Sequence, residues 1–115
     1  METVLQRLMD LDEITGTLVI GKDGLIVAGA LPGDEEDMLS AMTAAVFGSI
    51  ASYTSQTNHG ETRHVIIETE RGSIQFAESH DLILVVTTQN ASNAGRVKFE
   101  MQKACKHLAE LVTAY

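Results

Sequence analysis

Two apolar runs near the start of the chain, residues 18–20 and 25–27, lie on either side of the tripeptide Lys22-Asp23-Gly24. The strands that contain them are predicted over residues 15–21 and 25–31. Asp and Gly tolerate the backbone angles of tight turns, so this pattern predicts a β-hairpin. Neither run alternates cleanly between apolar and polar residues, as a strand with one solvated face would. The pattern therefore predicts strands that are covered on both faces.

The remaining periodicity predicts three helices and three further strands. Asp34 is expected to cap a long middle helix that runs to about Gln56. The first and last helices are predicted over residues 2–12 and 92–113, and the strands over residues 64–69, 73–78 and 82–88. The last helix should be capped by Ser92 or Asn90 and should turn inward Val97, Met101, Ala104, Leu108 and Leu111.

This order of elements predicts an α+β fold in three layers, α/β/α, within a single domain over residues 1–115. Short connections between the strands favour a five-stranded antiparallel sheet. The long middle helix is expected on one face of the sheet, and the first and last helices on the other.

The middle helix is unusual because residues 38–60 contain no Asp, Glu, Lys or Arg. At about 100° per residue, its larger apolar side chains form a stripe that we expect to pack on the sheet. These residues are Met38, Leu39, Met42, Val46, Ile50 and Tyr53. The opposite face is expected to hold small residues, which are Ser40, Ala41, Ala44, Ala45, Gly48, Ala51, Ser52 and Ser55.

A helix face of small residues allows another backbone to approach closely, whereas solvated faces normally carry Lys and Glu. We interpret this face as a contact with a second copy of the chain, paired also through a third strand at the sheet edge. A helix enclosed within its own fold, or an alanine-rich exposed face, are the alternatives. The predicted dimer interface consists of Ala41, Ala44, Ala45, Gly48, Ser52, Ser55, Val65 and Ile67.

Charge and composition exclude several classes of function. Sixteen acidic residues against eight Lys and Arg give a net charge of −8, which disfavours nucleic acid and anionic membranes as partners. No apolar run is long enough for a membrane span, and the N-terminus lacks a signal-peptide core. The lone Cys105 agrees with a reducing compartment, so a cytoplasmic protein is expected.

The sequence predicts no catalytic residue, no metal site and no cofactor. It contains neither GxxxxGK[ST] nor GxGxxG, and its four histidines lack metal-ligand spacing. Ser79, His80 and Asp81 are adjacent on a predicted turn, where a catalytic triad rarely forms. Cys105 falls near the inner stripe of the last helix, as an inert buried thiol would.

The stretch GTLVIGKDGLIVAGA, and the order of elements around it, resemble the Roadblock family, the dynein light-chain type of domain. The resemblance covers essentially the whole chain. The start of the last helix, GRVKFEM, departs from the commoner leucine- and arginine-rich form. The matching residues are Gly16, Val19, Asp23, Gly24, Leu25 and Ala28, with Asn93 and Gly95 in the cap region of the last helix.

The resemblance implies a homodimer that pairs through the middle helix and third strand, and that regulates or anchors a small Ras-like GTPase. Bacterial members that resemble the gliding-motility regulator bind their GTPase on the paired helices and stimulate hydrolysis. Asp34, Glu35, Glu36 and Ala51 are the expected contacts with such a partner. A small-molecule sensor of profilin-like fold and a structural subunit of a larger assembly are the alternative functions.

Overall fold

The computed structural model describes residues 1–89 and 93–113, which form three helices and a five-stranded antiparallel sheet. The predicted α+β class and order of elements are confirmed. The elements are α1 (Glu2–Met9), β1 (Ile14–Gly21), β2 (Ile26–Ala30), α2 (Glu36–Gln56), β3 (His64–Thr69), β4 (Gly72–Ser79), β5 (Leu82–Thr88) and α3 (Ala94–Thr113).

The strands follow the order β2-β1-β5-β4-β3 across the sheet, so β1, β5 and β4 are central. Each neighbouring pair is antiparallel. The strands β2 and β3 are the two edges, which confirms the predicted edge position of the third strand.

Successive side chains of the central strands point to opposite faces of the sheet, and both faces are buried. Leu18 and Ile20 belong to one core cluster, which contains Phe47 of α2. Val19 belongs to the other cluster, which is closed by residues of α1 and α3 such as Leu8. The layered arrangement explains why the apolar runs in the sequence do not alternate.

Two predicted helix ends are wrong. α1 ends at Met9, because the Leu11 amide bonds to the carbonyl of Leu8 at 3.0 Å in a tighter turn. Asp34 does not cap α2, which begins at Glu36 without a side-chain capping bond at its N-cap. The Glu36 carboxylate instead accepts a hydrogen bond from the Leu31 amide at 3.0 Å and ties the helix to the preceding segment.

The last helix follows its predicted inward stripe over most of its length. Its early and central stripe residues are buried, whereas Leu111 in the last turn is 40% exposed and its predicted burial is wrong. The two candidate cap residues, Asn90 and Ser92, lie outside the described residues.

Candidate interaction surface of helix α2 and strand β3

Helix α2 packs on the sheet through a face that combines small residues with one aromatic residue, Phe47. Ser40, Thr43 and Phe47 are buried, and Ala44 is half-buried against the same core cluster. The large apolar side chains point away, since Met38, Met42, Val46 and Tyr53 are exposed by 51%, 52%, 40% and 71%. The prediction that these large side chains pack on the sheet was wrong.

The reason is a close approach between α2 and the turn that joins β1 to β2. A Cβ atom placed on Gly24 would lie 3.1 Å from the Cα of Ala41 and 3.6 Å from the Cβ of Ala44. The hydroxyls of Ser40 and Thr43 donate to carbonyls of their own helix, at 2.9 and 2.8 Å. Their polar atoms are therefore satisfied within the helix, although the side chains are buried against the rest of the chain.

The outward side of α2 has two adjacent strips, which we call together the α2 outer face. One strip holds the exposed large apolar residues Met38, Met42, Val46 and Tyr53, and it was missed by sequence reasoning. The other strip holds exposed small residues, which are Ala41, Ala45, Gly48, Ser52 and Ser55. A contiguous exposed apolar surface of this kind is typical of a protein–protein contact.

The predicted dimer residues of α2 are thus divided between its two sides. Ala41, Ala45 and Gly48 are exposed on the α2 outer face, whereas Ala44 packs against the core of its own chain. A Cβ atom added to Gly48 would meet nothing within 4 Å. The packing within one chain therefore does not require a glycine at this position.

Among the described strands, β3 pairs with β4 alone, so its second edge is open. Val65 and Ile67 are half-buried on the side of the sheet that α2 covers, where they pack against the cluster containing Phe76. Ile66 points to the opposite side and is 38% exposed. An open, largely apolar edge strand can pair with a further strand.

The end of α2 is tied to the segment that leads into β3. The Thr54 hydroxyl lies 2.7 Å from the hydroxyl of the buried Thr62 and 3.1 Å from the carbonyl of Gly60. These contacts fix the connection between helix and strand. The α2 outer face and the open edge of β3 consequently belong to two elements whose junction is held in one arrangement.

The predicted partner-binding residues are not all brought together. Asp34 and Glu35 are exposed beside the start of α2, and Glu36 is half-buried through its bond to Leu31. Ala51 is half-buried and lies 15 residues beyond Glu36, which is about 22 Å along a helix. The structure therefore groups the acids at one end of the helix and separates Ala51 from them.

Other candidate groups have structural partners. The buried Ser79 hydroxyl donates to the carbonyl of Cys105 at 2.9 Å, and burial raises the pKa of the Cys105 thiol to about 11. Within residues 1–89 and 93–113, no group of three or more His, Cys, Asp or Glu could hold a metal ion. No helix in those ranges is long and apolar enough to cross a bilayer.

Comparison with known proteins identifies related chains. The family model described as Roadblock/LC7 domain matches residues 1–88. The uncharacterized protein MJ1340 of Methanocaldococcus jannaschii is 31% identical over 109 residues, which cover 94% of this chain and 96% of that protein.

Solved structures share the fold at lower identity. MglB of Myxococcus xanthus superposes with a TM-score of 0.91 at 18% identity, covering 98% of this chain and 94% of that one. The gliding protein MglB of Thermus thermophilus superposes with a TM-score of 0.87 at 17% identity, covering 99% of this chain and 89% of that one.

Proposed function

Because this chain belongs to the Roadblock/LC7 domain family, we propose that it is a non-catalytic homodimeric adaptor that binds a small Ras-like GTPase in the cytoplasm. The observation that supports this proposal is the uncharged α2 outer face beside the open edge of β3. An effect of the adaptor on GTP hydrolysis would come from positioning groups of the GTPase itself, since the sequence of the adaptor has no phosphate-binding loop.

A two-fold dimer is favoured because one patch then serves both subunits. Met42 and Val46 are about half exposed, so burying the rest of either side chain contributes about 1 kcal/mol, roughly half of the value for full burial. Pairing of two β3 strands would remove the open edge and join two sheets into one of ten strands. The small residues Ala41, Ala45 and Gly48 would let the two α2 helices approach closely.

The GTPase is proposed to dock across the paired α2 helices, near their acidic starts. Asp34 and Glu35 are exposed there, and Asp37 follows in the first turn of the helix. Acidic side chains at the rim of a contact attract a basic patch on a partner and raise the association rate. This attraction weakens as added salt screens the charges.

The test uses the small Ras-like GTPases of the source organism, each loaded with a non-hydrolysable GTP analogue and measured on a biosensor. At least one should bind, with two adaptor chains for each GTPase and an association rate that falls with salt. Asp34→Lys with Glu35→Lys should slow association about tenfold at low salt while the dimer stays intact. Glu36 is left unchanged because its carboxylate supports the start of the helix.

The control reverses two exposed acids elsewhere, Glu61→Lys with Asp81→Lys, which changes the net charge by the same amount. This variant should associate at nearly the wild-type rate. Failure of every GTPase to bind would contradict the adaptor proposal. Equal slowing by both double variants would contradict docking at the α2 starts.

A further inference from the structure

Charge is distributed unevenly between the helices α1 and α3 and the rest of the chain. Helices α1 and α3 carry five of the eight Lys and Arg residues against three Glu, so together they have a charge of +2. The rest of the chain carries three Lys and Arg against thirteen acids, a charge of −10. The layer formed by α1 and α3 is thus weakly basic on a strongly acidic protein, and one of its cations, Arg96, lies 3.9 Å from the Glu13 carboxylate outside the two helices.

A cleft between α1 and α3, with a volume of about 150 Å³, lies within this basic layer. Val4, Leu8 and Ala104 contribute apolar side chains to its lining. Basic and titratable side chains complete it, namely Arg7, Lys103 and His107, and one acid, Glu100. We call this feature the α1–α3 cleft.

Lys103 is held at the rim by two neighbours. Its Nζ lies 3.3 Å from the Glu100 carboxylate and 5.3 Å from the centre of the Phe99 ring. The Phe99 side chain itself is 57% exposed. An ammonium group above an exposed aromatic ring offers both a positive charge and an apolar surface to an approaching segment.

We propose that the α1–α3 cleft docks an acidic, partly apolar segment of a partner protein. An aliphatic side chain of that segment would enter between Val4, Leu8 and Ala104. One of its carboxylates would pair with Arg7, and another would share Lys103 with Glu100. The charge complementarity with an acidic segment is confined to the α1–α3 cleft, because the rest of the chain is strongly acidic and repels a uniformly anionic surface.

A protein segment fits this cleft better than a membrane or a nucleic acid. Glu100 lies among the cations of the cleft, where it opposes a continuous array of phosphates. Separate carboxylates on a peptide can be spaced to avoid Glu100, and the small apolar lining suits one or two side chains. The occupant is therefore a discrete segment rather than a charged surface.

This site lies on the opposite side of the sheet from α2, since α1 and α3 close one core cluster and α2 closes the other. Both sides of the molecule can consequently be occupied at once. The inference goes beyond the proposed function, because it adds a second partner that would be held independently of the GTPase.

The test is amide chemical-shift mapping by NMR on the purified chain with a synthetic amphipathic peptide. The probe is about 14 residues long, with leucines at helical spacing and glutamates on its other face, and its counterpart has every glutamate replaced by glutamine. The glutamate peptide should shift the amide resonances of Arg7, Leu8, Lys103 and Ala104. These shifts should saturate at a peptide concentration below about 1 mM. The glutamine peptide should bind at least tenfold more weakly.

The double variant Arg7→Glu with Lys103→Glu should bind the glutamate peptide at least tenfold more weakly. The dispersion of its NMR spectrum should be unchanged, which would show that the variant is folded. Arg63→Glu with Arg71→Glu, two exposed arginines outside the cleft, is the matched control and should bind as the wild type does. Chemical-shift changes that spread over the whole surface would overturn the proposal. An equal loss of peptide binding in both double variants would also overturn it. It would also be overturned if phosphatidylglycerol vesicles bound through Arg7 and Lys103 and the peptide did not bind. GTPase binding plays no part in any of these outcomes.

Discussion

A methyl group on Gly24 would lie only 3.1 Å from the Cα of Ala41, so the β1–β2 turn and α2 pack almost backbone against backbone. Gly24 also has a φ of +90°, a conformation that side chains disfavour. We expect Gly24→Ala to lower the free energy of unfolding by about 2 kcal/mol or more, measured by urea denaturation.

The matched control for Gly24 is Gly33→Ala. Gly33 has a φ of +104°, but a Cβ atom there would meet nothing within 4 Å. The free energy of unfolding of this variant should therefore fall only by the part that comes from backbone strain. Equal losses in the two variants would show that the contact with Ala41 contributes nothing to stability.

Gly48→Ala should have opposite effects on the stability of a single chain and on the association of two chains. An alanine in the interior of an exposed helix stabilises it by about 1 kcal/mol relative to glycine. In the Ala45→Glu background, which should be monomeric, Gly48→Ala should raise the free energy of unfolding by about that amount. In the otherwise wild-type chain, the added methyl group should weaken self-association, because a second α2 helix is proposed to pack there.

Gly95→Ala in α3 is the corresponding control, since a Cβ atom added at Gly95 also meets nothing within 4 Å. It should leave self-association unchanged. If Gly48→Ala also leaves self-association unchanged, close packing of the two helices at Gly48 is ruled out.

His64 should make stability depend on pH. Its Nε2 donates to the Gln75 side-chain oxygen at 2.7 Å, because the Gln75 amide nitrogen donates to the Ala94 carbonyl. Burial lowers the pKa of His64 below 6.5, the Gln75 bond opposes this shift, and the charge of Lys98 adds to it. The unfolded chain therefore binds this proton more readily, and the free energy of unfolding should fall as pH falls from about 6.5 towards the folded pKa.

Urea denaturation between about pH 5.5 and 7.5 measures this dependence. His64→Gln should flatten the slope in that window, whereas His107→Gln, at an exposed position of α3, should retain it. An identical slope in the wild type and in His64→Gln would contradict the assignment to His64.

The sheet and its layers could be predicted because the signals are local and agree with one another. The Asp23-Gly24 turn separates two apolar runs, and the continuous run at residues 82–88 marks a central strand. Such runs leave no solvated face, so helices on both sides follow directly.

The orientation of α2 could not be predicted from periodicity, because the helix has more than one face that tolerates burial. Ser40 and Thr43 are polar, but their hydroxyls bond to the backbone of their own helix, so both side chains can be buried. The close approach at Gly24 depends on contacts between residues distant in sequence. An outward apolar strip with residues such as Met42 becomes visible only once that approach is known.

Sedimentation equilibrium at low micromolar concentration tests the proposed α2-mediated dimer most directly. The wild-type chain should have twice the mass of one chain. Ala45→Glu should have the mass of a single chain, because an unpaired carboxylate in a closely packed helix contact costs several kcal/mol. Gln102→Glu, which adds the same charge at an exposed position of α3, should remain dimeric. A monomeric wild type, or an Ala45→Glu variant that stays dimeric, would contradict a dimer formed through α2.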